Sequence, residues 1–136
     1  MKRIELWPVL LMEFFAARSA TPFAWGTNDC VTYAADAVRA ITGDDPLADL
    51  RGSWSTELGA RRAVTRAGGM PAALDSRFTR LPNVLCAQRG DIGVLPEETG
   101  WHVVVVCMGA LWACPGPDGV VTVSLEKAAM AWAVGR

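Results

Sequence analysis

Asn28-Asp29-Cys30-Val31-Thr32-Tyr33-Ala34-Ala35-Asp36-Ala37-Val38-Arg39-Ala40-Ile41-Thr42-Gly43 is the stretch from which the fold is read. Asn28 and Asp29 are good helix N-caps, Ala34, Ala35, Val38 and Ile41 recur at helical spacing, and Gly43 closes the run. Cys30 therefore stands in the first turn of a helix, where unpaired backbone N–H groups and the helix dipole favour a thiolate. Immediately upstream, Thr21 to Gly26 carries a proline and a glycine that end any preceding element. Before that break, Pro8 to Arg18 reads as a first helix, with Leu10, Leu11, Phe14 and Phe15 on one stripe and Glu13 and Arg18 facing water.

Downstream, Asp44-Asp45-Pro46 opens a polar loop. Ser55 or Thr56 then caps a third helix that ends near Gly68-Gly69, and Arg61, Arg62 and Arg66 read as its solvated face. Met70 to Phe78 predicts one more short helical turn. The character then changes to β-favouring runs at Ile92–Leu95, Val103–Met108, Ala110–Cys114 and Val120–Val123, broken at Pro96–Gly100 and Pro115–Gly119. Ser124 is placed to cap a turn over Glu126 to Met130, and Ala131 to Val134 predicts a last edge strand. Helices first and strands second is the α+β order: N-terminal helices packed on a small C-terminal antiparallel sheet.

The 136 residues amount to one domain, 1–136. Thirteen basic against fourteen acidic residues leave no positive field for a phosphate backbone, which argues against nucleic-acid binding. With 51% hydrophobic and 20% charged residues, the chain has enough apolar surface to offset the ordering entropy of folding. The opening MKRIELWPVLLMEFFAARSA has the outline of a secretion signal, but Glu5 and Glu13 interrupt it. Its unbroken apolar run, Leu6 to Met12, is far short of the ~20 residues of a membrane span, so it reads as a mature helix and no span is expected.

Cys30, Cys86, Cys107 and Cys114 include no CxxC pair, so no zinc or iron–sulfur pattern is present, and Cys107 reads as a buried small hydrophobe. Synthesis in a reducing cytoplasm is expected. An acyl-transferring cysteine needs a base, and the single histidine, His102, precedes the valine run. Cys30 and His102 are thus the candidate nucleophile and base, with the backbone N–H of Cys30 facing an oxyanion.

The segment Pro22-Phe23-Ala24-Trp25-Gly26-Thr27-Asn28-Asp29-Cys30 with Ala34-Ala35-Asp36, together with Arg89-Gly90-Asp91-Ile92 and His102 to Gly109, resembles small phage-encoded relatives of the papain-like, NlpC-type murein peptidases. The likeness covers nearly the whole chain. It implies a papain-like α+β fold, a nucleophile at Cys30, a base at His102, and a third polar group about a dozen positions later that orients the imidazole. That count reaches Ala113 and Cys114, with Asp118 in the following loop, so Cys114 and Asp118 are the candidates. Val31 stands where the family often carries a small hydroxyl residue. Trp25, Asp29 and Trp101 flank the pair and are candidates for a substrate groove.

The resemblance also implies a peptide or amide bond of the peptidoglycan stem peptide as substrate, and no cofactor. Its setting is the tail tip of a long-tailed phage: the protein is made in the bacterial cytoplasm, carried in the virion and active at the cell wall in the periplasm. Two readings follow: a cysteine hydrolase, or a structural tail-tip or baseplate component whose partners are other tail proteins. Metal ligation by two or more of the cysteines and His102 is a third.

Overall fold

The computed structural model describes residues 1–136. Four helices, α1 (Trp7–Arg18), α2 (Cys30–Thr42), α3 (Glu57–Arg66) and α4 (Met70–Asp75), precede six strands. These are β1 (Thr79–Arg80), β2 (Ile92–Val94), β3 (Val104–Cys107), β4 (Leu111–Gly116), β5 (Gly119–Ser124) and β6 (Met130–Ala133). They form one antiparallel sheet in the order β1-β6-β2-β3-β4-β5. The α+β order read from the sequence is the order of the structure.

Helix α2 is the axle of the packing. Its Ala34, Ala37, Val38 and Ile41 meet Ile92, Val94, Val104, Val106, Trp132 and Val134 in the main core. Three alanines on α2 (Ala34, Ala35, Ala37) are nearly inaccessible, so the helix sits close over the strands. On the opposite sheet face Val105, Cys107, Trp112, Cys114 and Ala131 form a second core under Leu81, Val84 and Leu125. Gly93 makes room for it: a Cβ there would lie 2.8 Å from the Trp112 ring. Cys107 is wholly buried, as its apolar run predicts.

The expected edge strand at Ala131 to Val134 is corrected. β6 lies inside the sheet between β1 and β2, and the edges are β1 and β5. Trp132 drives this placement: it is fully buried and its indole donates to Asp75 Oδ1 at 2.8 Å, tying β6 to α4. The break expected from Pro115 is corrected too, since β4 runs on to Gly116 before turning. β3 pairs β4 only at Trp112 and Ala113, so Pro115 occupies a register where no β3 acceptor awaits its missing N–H. The turn predicted over Glu126 to Met130 is a single 3-10 turn at Leu125–Lys127, without a side-chain cap from Ser124.

Both termini converge on Asp91. This fully buried carboxylate pairs with Arg3 at 2.9 Å and with Arg136, and accepts the Gln88 and Val134 backbone N–H groups.

Candidate active site

The loop that presents Cys30 is assembled by three side chains. Asn28 donates its amide to the Thr21 and Pro22 carbonyls and accepts from Arg18 at 2.6 Å. Arg18 also pairs with Asp36 and lies over the Phe14 and Tyr33 rings, so it is a clamp between α1 and α2 and not the water-facing residue the periodicity suggested. Gly26 takes φ +85°, and a Cβ there would stand 2.4 Å from the Trp54 carbonyl oxygen. Glycine is needed at this position for both reasons.

Asp29 caps α2, with Thr32 returning the capping-box bond. Its carboxylate accepts from the Thr32 N–H, the Gly26 N–H and the Trp54 indole, each at 2.8 Å. Only 1% of Asp29 is exposed. The expectation that Asp29 lines a groove is therefore corrected: its oxygens are spent on internal donors.

Cys30 is the first residue of α2, with its side chain in the main core and 4% of its surface exposed. Burial pushes its thiol up to about 12, and the neighbouring Asp29 charge and the Cys114 thiol push the same way. The Val104 backbone N–H and the Trp101 indole N–H oppose the shift without reversing it. The helix N-terminus favours a thiolate, yet desolvation outweighs it in this conformation.

His102 sits just before β3, half-buried. Its Nδ1 lies 2.8 Å from the Leu95 carbonyl oxygen. A carbonyl only accepts, so Nδ1 carries a proton, and in the neutral ring the lone pair is the one on Nε2. This is the tautomer a general base requires, and the group that sets it is a backbone atom. Neither Cys114 nor Asp118 bonds the imidazole: Cys114 is buried in the second core, and Asp118 is exposed at the β4–β5 turn. No hydrogen bond joins His102 to Cys30.

A polar cleft of about 310 Å³ reaches His102 between α3 and the loop before β3, lined also by Arg61, Thr65, Glu97, Gly100 and Trp101. Trp101 walls the cleft and lies beside Cys30, where its indole favours the thiolate. Trp25 stands edge-on to it with ring centroids 6.3 Å apart, and the Arg61 guanidinium lies 5.4 Å above the Trp101 ring. Arg61 also donates to the Thr99 carbonyl at 3.1 Å, in the tight turn Glu98 to Trp101. The solvated face read over Arg61, Arg62 and Arg66 is present, and Arg61 at its edge also reaches the cleft. Beside its i,i+4 partner Glu57, Arg61 has partners some forty positions away, beyond the reach of helical periodicity.

No group of three or more His, Cys, Asp or Glu side chains is placed to hold a metal ion. No helix is long and apolar enough to cross a membrane. The sequence model of a family described as a domain of unknown function, DUF6950, matches residues 2–134. No curated protein and no solved structure matches the chain.

Proposed function

The chain belongs to the DUF6950 family, which is described as a domain of unknown function, and from the resemblance of its Cys30 and His102 segments to the NlpC-type murein peptidases we propose that it is a papain-like cysteine peptidase of that kind. Its substrate would be an amide bond of the peptidoglycan stem peptide, cut at the tail tip of a phage as the genome is delivered. What supports this reading is a cysteine at a fully capped helix N-terminus together with a histidine, just before the strand that packs on that helix, whose Nδ1 is tied to a backbone carbonyl.

In this reading the Trp101 ring first swings off Cys30. The thiol proton passes to His102 Nε2 as sulfur adds to the amide carbonyl carbon. The oxyanion is met by the Cys30 backbone N–H at the start of α2. The imidazolium gives its proton to the leaving nitrogen as the C–N bond breaks, and water, deprotonated by the same nitrogen, opens the thioester. Cys30→Ala is expected to abolish release of stem peptides from purified peptidoglycan while the circular-dichroism spectrum is unchanged. Equal cleavage by the variant would overturn the proposal.

A second reading, a structural tail-tip component, is favoured by the buried thiol and by the outer face of α1. Leu6, Val9 and Met12 are half or more exposed there, and apolar residues surround the helix. It predicts that particles lacking the protein fail to assemble while particles carrying Cys30→Ala stay infectious.

A further inference from the structure

Helix α1 carries a ridge and a groove side by side. Leu6, Val9, Met12, Glu13 and Ala16 follow one another at helical spacing and are all exposed, so they form the ridge. Leu6 and Met12 each keep 64% of their surface open to water, and Val9 keeps half. Beside the ridge runs an open groove of about 410 Å³. Leu11 and Phe15 line its α1 side, Met12 and Ala16 belong to it as well as to the ridge, and Met108 of the β3–β4 turn and Arg89 line it from the sheet side. Single exposed apolar side chains are ordinary, but a strip of them beside an apolar groove marks an interaction surface.

The charges select the occupant. Arg89, Glu13 and Glu5 take part in none of the chain's ion pairs. The Arg89 stem packs on Gly109, where a Cβ would stand 3.4 Å from its Cγ, and its guanidinium lies 5.6 Å from the centre of the Trp7 ring. No carboxylate lines the groove. One chain thus presents an apolar groove edged by a free cation and, next to it, an apolar ridge that carries a free carboxylate at Glu13. The helix whose chemistry matches the groove is α1 of a second copy.

We propose that two copies associate through α1 about a twofold axis, the ridge of each seated in the groove of the other and Glu13 of each beside the partner subunit's Arg89. An axis running along the helices does this, because it turns the ridge side of one copy toward the groove side of the other, whereas an axis across them would set ridge against ridge. The two helices then lie parallel and pack ridge into groove. Twelve residues make a helix about 18 Å long, so one helix pair covers less than the ~800 Å² per partner of a standard stable interface, and the dimer is a reversible one. The inference does not depend on the peptidase reading, since neither Cys30 nor His102 lines the ridge or the groove.

Sedimentation equilibrium of the full chain, from about 5 to 300 μM, reads the association directly. The mass should rise with concentration from 14.6 kDa toward twice that value. Met12→Asp should weaken association at least about tenfold and leave the circular-dichroism spectrum unchanged, because the side chain is exposed in the monomer, and Val9→Asp on the same ridge should do likewise. Glu13→Arg and Arg89→Glu should each weaken it about tenfold, because the symmetry counts the pair twice, and the double variant should regain the wild-type association. A monomer at every concentration would overturn the proposal and leave the face to a different protein. So would a dimer indifferent to Met12→Asp and Val9→Asp, or charge reversals that the double variant does not repair.

Discussion

The Leu95 carbonyl oxygen holds His102 Nδ1 at 2.8 Å and leaves Nε2 as the free lone pair of the imidazole. A backbone acceptor thus fills the place in which a polar side chain was sought. Under the peptidase proposal, Asp118→Ala should leave peptidoglycan cleavage unchanged within error. Two-bond nitrogen–proton NMR spectra of neutral His102 should show the Nδ1–H tautomer. A large loss of cleavage in Asp118→Ala, or a dominant Nε2–H form, would show that another group orients the ring.

Burial and the Trp101 indole act on the Cys30 thiol in opposite directions, and burial is the larger effect. With the thiol pushed up to about 12 by burial, alkylation of wild-type Cys30 should be slow at pH 8 and still rising at pH 10. Trp101→Ala opens the site beside the thiol at the cost of the indole that favours the thiolate, and Arg61→Gln removes both the stack on Trp101 and the bond to Thr99. Each unit recovered toward the ordinary thiol value of ~8.5 raises the thiolate fraction near neutrality about tenfold. Both variants should therefore alkylate at least about tenfold faster at pH 8, Trp101→Ala the more so, as followed by peptide mass spectrometry. Unchanged rates would mean that something other than the Trp101 turn covers the thiol.

What was legible in the sequence was what is local. Asp29 and Gly43 spell the start and stop of α2 because capping is settled within one helical turn. The interior position of β6 was not legible, because its outer partner β1 is only Thr79 and Arg80, with no periodicity to read. In the site the residue types of Cys30 and His102 stood out, but the carbonyl of Leu95 has no side-chain signature. Asp29 carried two readings, cap and groove, and the Trp54 indole, distant in sequence, decides between them by taking the outer carboxylate oxygen.

Alkaline pH should destabilise the fold through its buried acids. Burial raises the thiols of Cys30, Cys107 and Cys114 and the Tyr33 hydroxyl above their ordinary values. A raised folded pKa means that the unfolded chain gives up its proton first. The stability carried by these groups is complete below about pH 8.5 and is lost as the pH climbs toward 12. Each fully shifted thiol contributes up to about 1.4 kcal/mol of loss per pH unit across that window. Urea midpoints from pH 7 to 10.5 should fall for the wild type and fall less steeply for Cys30→Ala. Parallel curves would show that Cys30 titrates alike in both states.

Asp91 is the anchor whose loss should cost most. Buried and bound to Arg3, Arg136 and two backbone N–H groups, it holds both chain ends to the start of β2. Asp91→Asn keeps the size but leaves the guanidinium of Arg3, itself almost inaccessible, without a counter-charge. Breaking one side of a buried pair in this way costs about 3–5 kcal/mol, whereas an exposed pair is worth about 1 kcal/mol or less. Asp36→Asn, which loosens the more accessible pairs with Arg18 and Arg51, serves as the comparison. Denaturant midpoints should drop several times further for Asp91→Asn than for Asp36→Asn, and added salt should not close the gap, because the Arg3–Asp91 pair is shielded from ions. Equal losses, or a loss at Asp91 that salt removes, would place the hold on the two termini elsewhere, in the packing of Val134 and Trp7 and not in the ion pair.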